Sequence, residues 1–202
     1  MKKSTFIFIS SSIIAPIFLY VSIIGLSSSF GIESILVIRD LAQTCGYPIG
    51  VGLISNLGIL MWSASASVAL FTSLSGLIEK NENSNFLLLG GILSLILCLD
   101  DFFLLHDKYI GPDFLYITYS IIGIYMLIKF RKIIINIEFS TFIISVCSLA
   151  LSILFDTYIQ GMFPGKYINV QLLEEGFKFI GIVCWMNFWW KASIKSLRSK
   201  TY

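Results

Sequence analysis

The feature that most constrains this chain is a series of long apolar stretches separated by short polar breaks. A helix needs about 20 mainly apolar residues to cross the hydrocarbon core of a bilayer, so stretches of this length indicate transmembrane helices. Only 13% of the residues are charged, against about a quarter in a typical soluble domain. The sequence therefore predicts an all-α integral membrane protein, a bundle of six transmembrane helices. The predicted spans are about 5–29, 48–78, 85–107, 114–130, 139–160 and 171–191.

These spans leave little chain for a soluble domain, so we predict a single transmembrane domain over residues 1–202. The breaks between the later spans are the polar or turn-forming segments 79–85, 107–113, 131–138 and 161–169. The segment 31–46 is apolar but contains charged residues, which is typical of a short helix lying in the membrane interface.

The first span has an alternative interpretation as a cleaved signal peptide. Lys2 and Lys3 would be its basic region, and Ser27 to Ser29 would precede the cut. Its apolar run is longer than the usual ~7–15 residues of a signal peptide. The sequence therefore favours an uncleaved first span.

Lysine and arginine residues predict the orientation of the bundle. With both termini inside, ten of them fall on the inner side and three in the outer loops. Cytoplasmic loops carry an excess of Lys and Arg, so this distribution predicts cytoplasmic termini and fits the inner membrane of a bacterium. The inner residues are Lys2, Lys3, Lys80, Lys129, Arg131, Lys132, Lys191, Lys195, Arg198 and Lys200.

Acidic residues collect on the opposite side. With this orientation, nine of the twelve lie in the outer half of the spans or in the outer loops. Ionised groups inside a bilayer are costly, so they face the bundle interior and find partners there. The candidate site is an outer-side cluster that binds a cation or a proton. Its members are Asp100, Asp101, His106, Asp156, Glu174 and Glu175, with Lys178 as counter-charge and Asn56 as polar lining.

Helical phase supports this cluster. At about 100° per residue, Glu174, Glu175 and Lys178 share one face of span six, and the two carboxylates stand at the spacing that lets them reach the lysine. Similar polar faces occur on three other spans. They comprise Gly52, Asn56, Ser63 and Ser67 on span two, Tyr116, Tyr119, Ser120 and Gly123 on span four, and Ser145, Ser152, Asp156 and Gln160 on span five.

The stretch "CLDDFFLLHD" is less regular. Asp101 is in phase with the small residues Gly90 and Ser94, and Asp100 flanks that face. His106 lies about 140° from Asp101 on an ideal helix. The two can share one ion only if the helix loosens before Gly111 and Pro112.

Each candidate also has a structural interpretation. Glu174 and Glu175 suit the positive N-terminal end of a helix dipole, and Asp156 could belong to a hydrated span end. His106, a lone histidine near the membrane interface, could be structural or a titrating bystander. Asn56 could simply bond a neighbouring helix. The four tryptophans are interpreted as interface and packing residues.

Three functions remain open on the sequence. The first is a small transporter or channel-like protein in which Asp101, Asp156, Glu174 and Glu175 bind a cation or exchange protons. The second is a metal-dependent membrane enzyme acting on a lipid or isoprenoid, with His106 as proton shuttle. The third is an accessory subunit of a membrane complex. A carboxylate-rich site suits a divalent cation such as Mg²⁺, Ca²⁺ or Mn²⁺. The expected partners are therefore the bilayer and a cation, proton or lipidic substrate, and not nucleic acid.

Overall fold

The computed structural model describes residues 14, 17–18, 20–38, 45–47, 50–159 and 167–198. The chain divides into two compact units, Met1–Val51 and Gly52–Tyr202. In the first unit the described residues form α1 (Tyr20–Ser29) and α2 (Ser34–Ile38). Residues 5–13, 15–16 and 19 of the first predicted span, the terminal residues Lys2, Lys3 and Lys200, and the charged pair Arg39 and Asp40 lie outside the described residues.

The second unit is built from helices, and its described residues contain no strand. The helices are α3 (Leu53–Leu74), α4 (Glu82–Phe103), α5 (Leu105–Lys108), α6 (Pro112–Lys129), α7 (Arg131–Leu154) and α8 (Tyr167–Arg198). A π-helical turn, Phe155–Ile159, follows α7 directly.

Local sequence explains where these helices begin and end. The Asn81 side chain accepts hydrogen bonds from the first backbone N–H groups of α4 and caps it. Pro112 opens α6 at a position where its missing N–H costs nothing. Leu104 ends α4 in the left-handed conformation, with φ 53° and ψ 46°. That turn separates α4 from the short helix α5.

Side-chain contacts show how the long helices run. Ser73 bonds Ser84 near one end of the α3–α4 hairpin, and Trp62 bonds Asp101 near the other, so these helices are antiparallel. α7 and α8 are also antiparallel, since Ser145 donates to the Gly181 carbonyl and, farther along, Lys191 donates to Glu138. The acidic end of the second unit is where α4 ends and α8 begins. The basic end is where α6 meets α7 and α8 ends.

The core near the basic end is aromatic. The Phe86 ring lies 4.8 Å from that of Trp189 and 5.1 Å from that of Phe130, measured between ring centroids. Gly90 makes this packing possible. A Cβ added there would lie 2.0 Å from Cη2 of Trp189, so α4 and α8 approach each other at a residue without a side chain.

Three helices are long and apolar enough to cross a membrane, judged by length and composition: Leu53–Leu74, Glu82–Phe103 and Arg131–Thr157. The apolar helices are therefore compatible with an integral membrane protein. Helices also occupy the predicted spans 114–130 and 171–191. That these helices cross the membrane too, and that residues 1–202 form one domain, stay predictions.

Two details of the sequence interpretation are wrong. The predicted break at 131–138 is helical up to Glu138, where a single extended residue kinks α7. Phe130 alone separates α6 from α7, because both helices accommodate the basic residues at their exposed ends.

The second wrong detail is the predicted inward face of α3, which is exposed at Asn56, Ser63 and Ser67. α3 instead buries the face that carries the small side chains of Ser65, Ala66 and Ala69. Small side chains allow close helix packing.

Candidate functional site

A cavity of about 350 Å³ lies between α3, α4, α6, α7 and α8 at the acidic end of the second unit. Its lining changes character along its length. One part is polar and comprises Asp100, Asp101, His106, Tyr116, Tyr119, Ser120, Ser152, Asp156, Glu174 and Lys178. The remainder is mainly apolar and includes Leu93, Leu97, Ile124, Leu127, Val146, Leu149 and Ile153.

Asp100 joins three elements at the polar part. It is buried, at 3% exposure. Its Oδ1 lies 2.9 Å from Nδ1 of His106 and accepts the backbone N–H of the same residue at 2.9 Å. Its Oδ2 accepts the Tyr119 hydroxyl at 3.0 Å. The carboxylate therefore orients the imidazole ring.

The left-handed turn at Leu104 explains how His106 reaches Asp100. On a continuous helix, residues six apart point about 120° away from each other, because each residue adds about 100°. The turn ends α4 and starts α5, which brings the His106 ring back over the end of α4. The predicted loosening of the helix therefore exists, but it lies at Leu104 rather than just before Gly111, and it directs His106 to Asp100 and not to Asp101.

Asp101 is occupied by two other donors. Nζ of Lys178 lies 2.8 Å from its Oδ1, and the Trp62 indole N–H donates to its Oδ2 at 3.0 Å. The pair is largely withdrawn from water, with side-chain exposures of 28% for Lys178 and 12% for Asp101. Lys178 therefore forms an ion pair with Asp101 on α4, and its role as counter-charge of the whole cluster stays a prediction.

Asp156 lies on the π-helical turn that follows α7. Such turns change the direction of side chains at the end of a helix and are common at functional sites. Here the turn directs Asp156 to the cavity, where its Oδ2 accepts the Tyr116 hydroxyl at 2.9 Å. Among the described residues, no cationic side chain forms an ion pair with Asp156.

The structure brings together most of the residues predicted for the site. Asp100, Asp101, His106, Asp156 and Glu174 all line the cavity. Glu175 lies beside a second, much smaller cleft, which it shares with Asp101 and Lys178. Asn56 is exposed and does not belong to the lining of either space. Gln160 lies outside the described residues.

The carboxylates do not converge on one point. Asp100, Asp101 and Asp156 each bond a different set of side chains. Within the described ranges, no group of three His, Cys, Asp or Glu residues could hold a metal ion. Binding of a divalent cation by the whole cluster stays a prediction without geometric support.

Sequence reasoning missed the role of Trp62. It predicts a packing residue, and the side chain is indeed buried, but its N–H also donates to a carboxylate. The sequence feature that could have indicated this role is the position of Trp62 on the same helix face as Ala66 and Ala69, which are also buried. A tryptophan there must pack in the interior, where its N–H needs an acceptor.

Comparison with known protein families gives one match, over residues 13–192, to a family described as a domain of unknown function (DUF8692). The chain belongs to this family. Comparison with curated proteins gives no match, and neither does comparison with solved structures. The DUF8692 match spans α3 to α8 as far as residue 192, so every residue that lines the cavity falls within it.

Proposed function

We propose that this DUF8692 protein is an integral membrane protein whose cavity binds one amphiphilic, lipid-like molecule. The observation that carries the proposal is the division of the lining into a charged, hydroxyl-bearing part and an apolar part. A polar head would lie among Asp100, Tyr119 and Asp156, and an apolar chain would lie against Leu127 and Leu149. The volume of about 350 Å³ falls within the range of small-molecule sites, which is about 300–1,000 Å³.

The surrounding bilayer would supply such a ligand directly. Ile124 lines the cavity and is also 56% exposed, on the same helix as the exposed Ile117, Ile121 and Ile128. Ala150 is an exposed lining residue on α7. A lateral opening between α6 and α7 would let an acyl or isoprenoid chain enter without crossing water.

Six spans, cytoplasmic termini and an inner-membrane location complete this proposal. The basic end of the second unit carries Lys129, Arg131, Lys191 and Lys195. Placing that end in the cytoplasm follows the positive-inside rule. The polar part of the cavity would then lie in the outer half of the membrane.

Probe binding tests the proposal. Native mass spectrometry of the purified full chain would use three dodecyl probes: dodecylamine, dodecyl maltoside and dodecyl phosphate. A Cβ added at Gly123, which lines the cavity, meets no atom within 4 Å, so the Gly123→Phe ring would fill this space. We expect at least one probe to bind once per chain, and Gly123→Phe to weaken that binding about tenfold or more, which is 1.4 kcal/mol.

Gly176→Phe is the matched control. An added Cβ at Gly176 also meets no atom within 4 Å, but this residue does not line the cavity. The Gly176→Phe variant should bind the probes as tightly as the wild type does. Absence of binding by all three probes, or equal loss in both variants, would reject a ligand site in the cavity.

A lipid-modifying enzyme is a second candidate, favoured by the Asp100–His106 contact. A carboxylate that holds one imidazole nitrogen orients the ring and supports the protonated state that a general base reaches during proton transfer. Comparing membrane lipids of cells that overproduce the wild type or His106→Gln tests this idea. A lipid species that changes only with the wild type supports it, and identical lipid profiles contradict it.

The transporter hypothesis from the sequence also stays a prediction. Its candidate carboxylates lie at one end of the cavity, and the described lining beyond them is mainly apolar. A charged ion would find few polar groups along that part. Cation or proton flux into liposomes tests the transporter hypothesis.

An accessory role would instead require a partner subunit, which purification of the complex from native membranes would recover.

A further inference from the structure

The three aspartates of the cavity differ in whether a positively charged side chain contacts them. Asp101 is paired with Lys178 at 2.8 Å. Asp100 contacts His106 at 2.9 Å, and protonation of the imidazole would complete an ion pair there. Asp156 differs from both, because its bonding partner is the neutral Tyr116 hydroxyl.

In the described part of the chain, no ion pair joins Asp156 to a cationic side chain. Lys178, the lysine among the cavity-lining residues, is held by Asp101. A hydroxyl donor stabilises a carboxylate, but it leaves the whole negative charge in place. An ionised group inside a membrane is costly unless a partner of opposite charge or water compensates it.

We propose that the amphiphile has a cationic, ammonium-type head that pairs with Asp156. This inference rests on the proposed function and specifies the chemical class of its ligand. The ammonium group would donate to the Asp156 carboxylate, while Tyr116 keeps the other donor position. The apolar chain would follow the lining towards Leu127 and Leu149.

The same arrangement disfavours an anionic head. A phosphate would lie among Asp100, Asp101 and Asp156, and of the described lining residues only Lys178 and a protonated His106 would offset the repulsion. Both of those groups already contact aspartates. A neutral glycoside head would avoid repulsion but would leave Asp156 without a counter-charge.

The experiment compares the three dodecyl probes on the full chain. We expect dodecylamine, which is cationic at neutral pH, to bind at least about tenfold more tightly than dodecyl maltoside or dodecyl phosphate, or 1.4 kcal/mol. Asp156→Asn keeps an acceptor for Tyr116 and removes the charge. It should therefore reduce the preference for the amine to about threefold or less, while maltoside binding stays the same.

Glu82→Gln is the matched control, because it also removes the charge of an acidic residue. Glu82 is exposed and lies at the opposite end of α4 from Asp101. The Glu82→Gln variant should leave the probe preference unchanged. The maltoside or phosphate probe could bind as tightly as the amine, and Gly123→Phe could abolish that binding. The cavity would then bind amphiphiles, but the inference of a cationic head would be wrong. An amine preference that Asp156→Asn does not reduce would also overturn it.

Discussion

At the scale of single residues, the candidate site depends on cross-helix bonds to carboxylates. Lys178 and Trp62 reach Asp101 from α8 and α3, and Tyr119 reaches Asp100 from α6. Each bond joins groups that would be costly to leave unpaired in a low-dielectric interior. These bonds therefore hold the helices together and fix the polar part of the cavity.

Breaking one of these pairs should be more harmful than removing both partners. We expect Lys178→Met to destabilise the protein by about 3 kcal/mol, because Asp101 is left as a buried charge without its cation. The double variant Lys178→Met with Asp101→Asn should recover part of that loss. Thermal unfolding in detergent measures all of these variants and the single Asp101→Asn. Additive losses with no recovery would show that the two groups are not coupled.

Residue positions also separate what the sequence predicts from what it does not. Phase along a straight helix predicts that Asp101 and Asp156 face the interior, and both line the cavity, although Asp156 does so from a π-helical turn. The same phase gives the wrong direction for His106, because a non-glycine residue in the left-handed conformation at Leu104 has no sequence signature. The Lys178–Asp101 pair is also unpredictable, since local spacing offers Glu174 and Glu175 while the actual partner is 77 positions away in sequence.

At the scale of helices, close approach depends on residues without bulk. Gly90, Gly91 and Gly181 each face a side chain of another helix at a distance where a Cβ would not fit. Inside a bilayer no hydrophobic drive brings helices together, so van der Waals contact at small residues would be important there. Apolar length predicts that helices exist here, but it cannot identify which glycines make these contacts.

The contact of Gly90 with Trp189 gives a prediction. Gly90→Ala should destabilise the protein by about 3 kcal/mol, because the Trp189 ring is fully buried among Phe86, Trp185 and Phe188 and cannot move away. Gly176→Ala adds the same methyl group where no atom lies within 4 Å. Its stability should be unchanged or higher by up to ~1 kcal/mol, from better helix propensity. Equal melting temperatures for both variants would contradict this packing.

At the scale of the whole molecule, the proposed function requires the acidic and basic ends of the second unit to face opposite sides of a membrane. After the four native cysteines are replaced, a cysteine at Asp113 should react with a membrane-impermeant maleimide added to spheroplasts. One at Lys132 should react only after permeabilisation. Each substituted position is exposed. Labelling of both positions from the same side would contradict the proposed topology.

Photoaffinity labelling shows directly whether one amphiphile occupies the cavity. The probe is dodecylamine with a diazirine at the far end of its chain, reacted with the purified full chain and mapped by mass spectrometry. We expect labelling to be concentrated at Leu127, Val146 and Leu149 in the apolar part of the cavity, and to be lost in Gly123→Phe but not in Gly176→Phe. Labelling confined to the outward-facing Ile117, Ile121 and Ile128, and unchanged in Gly123→Phe, would contradict it.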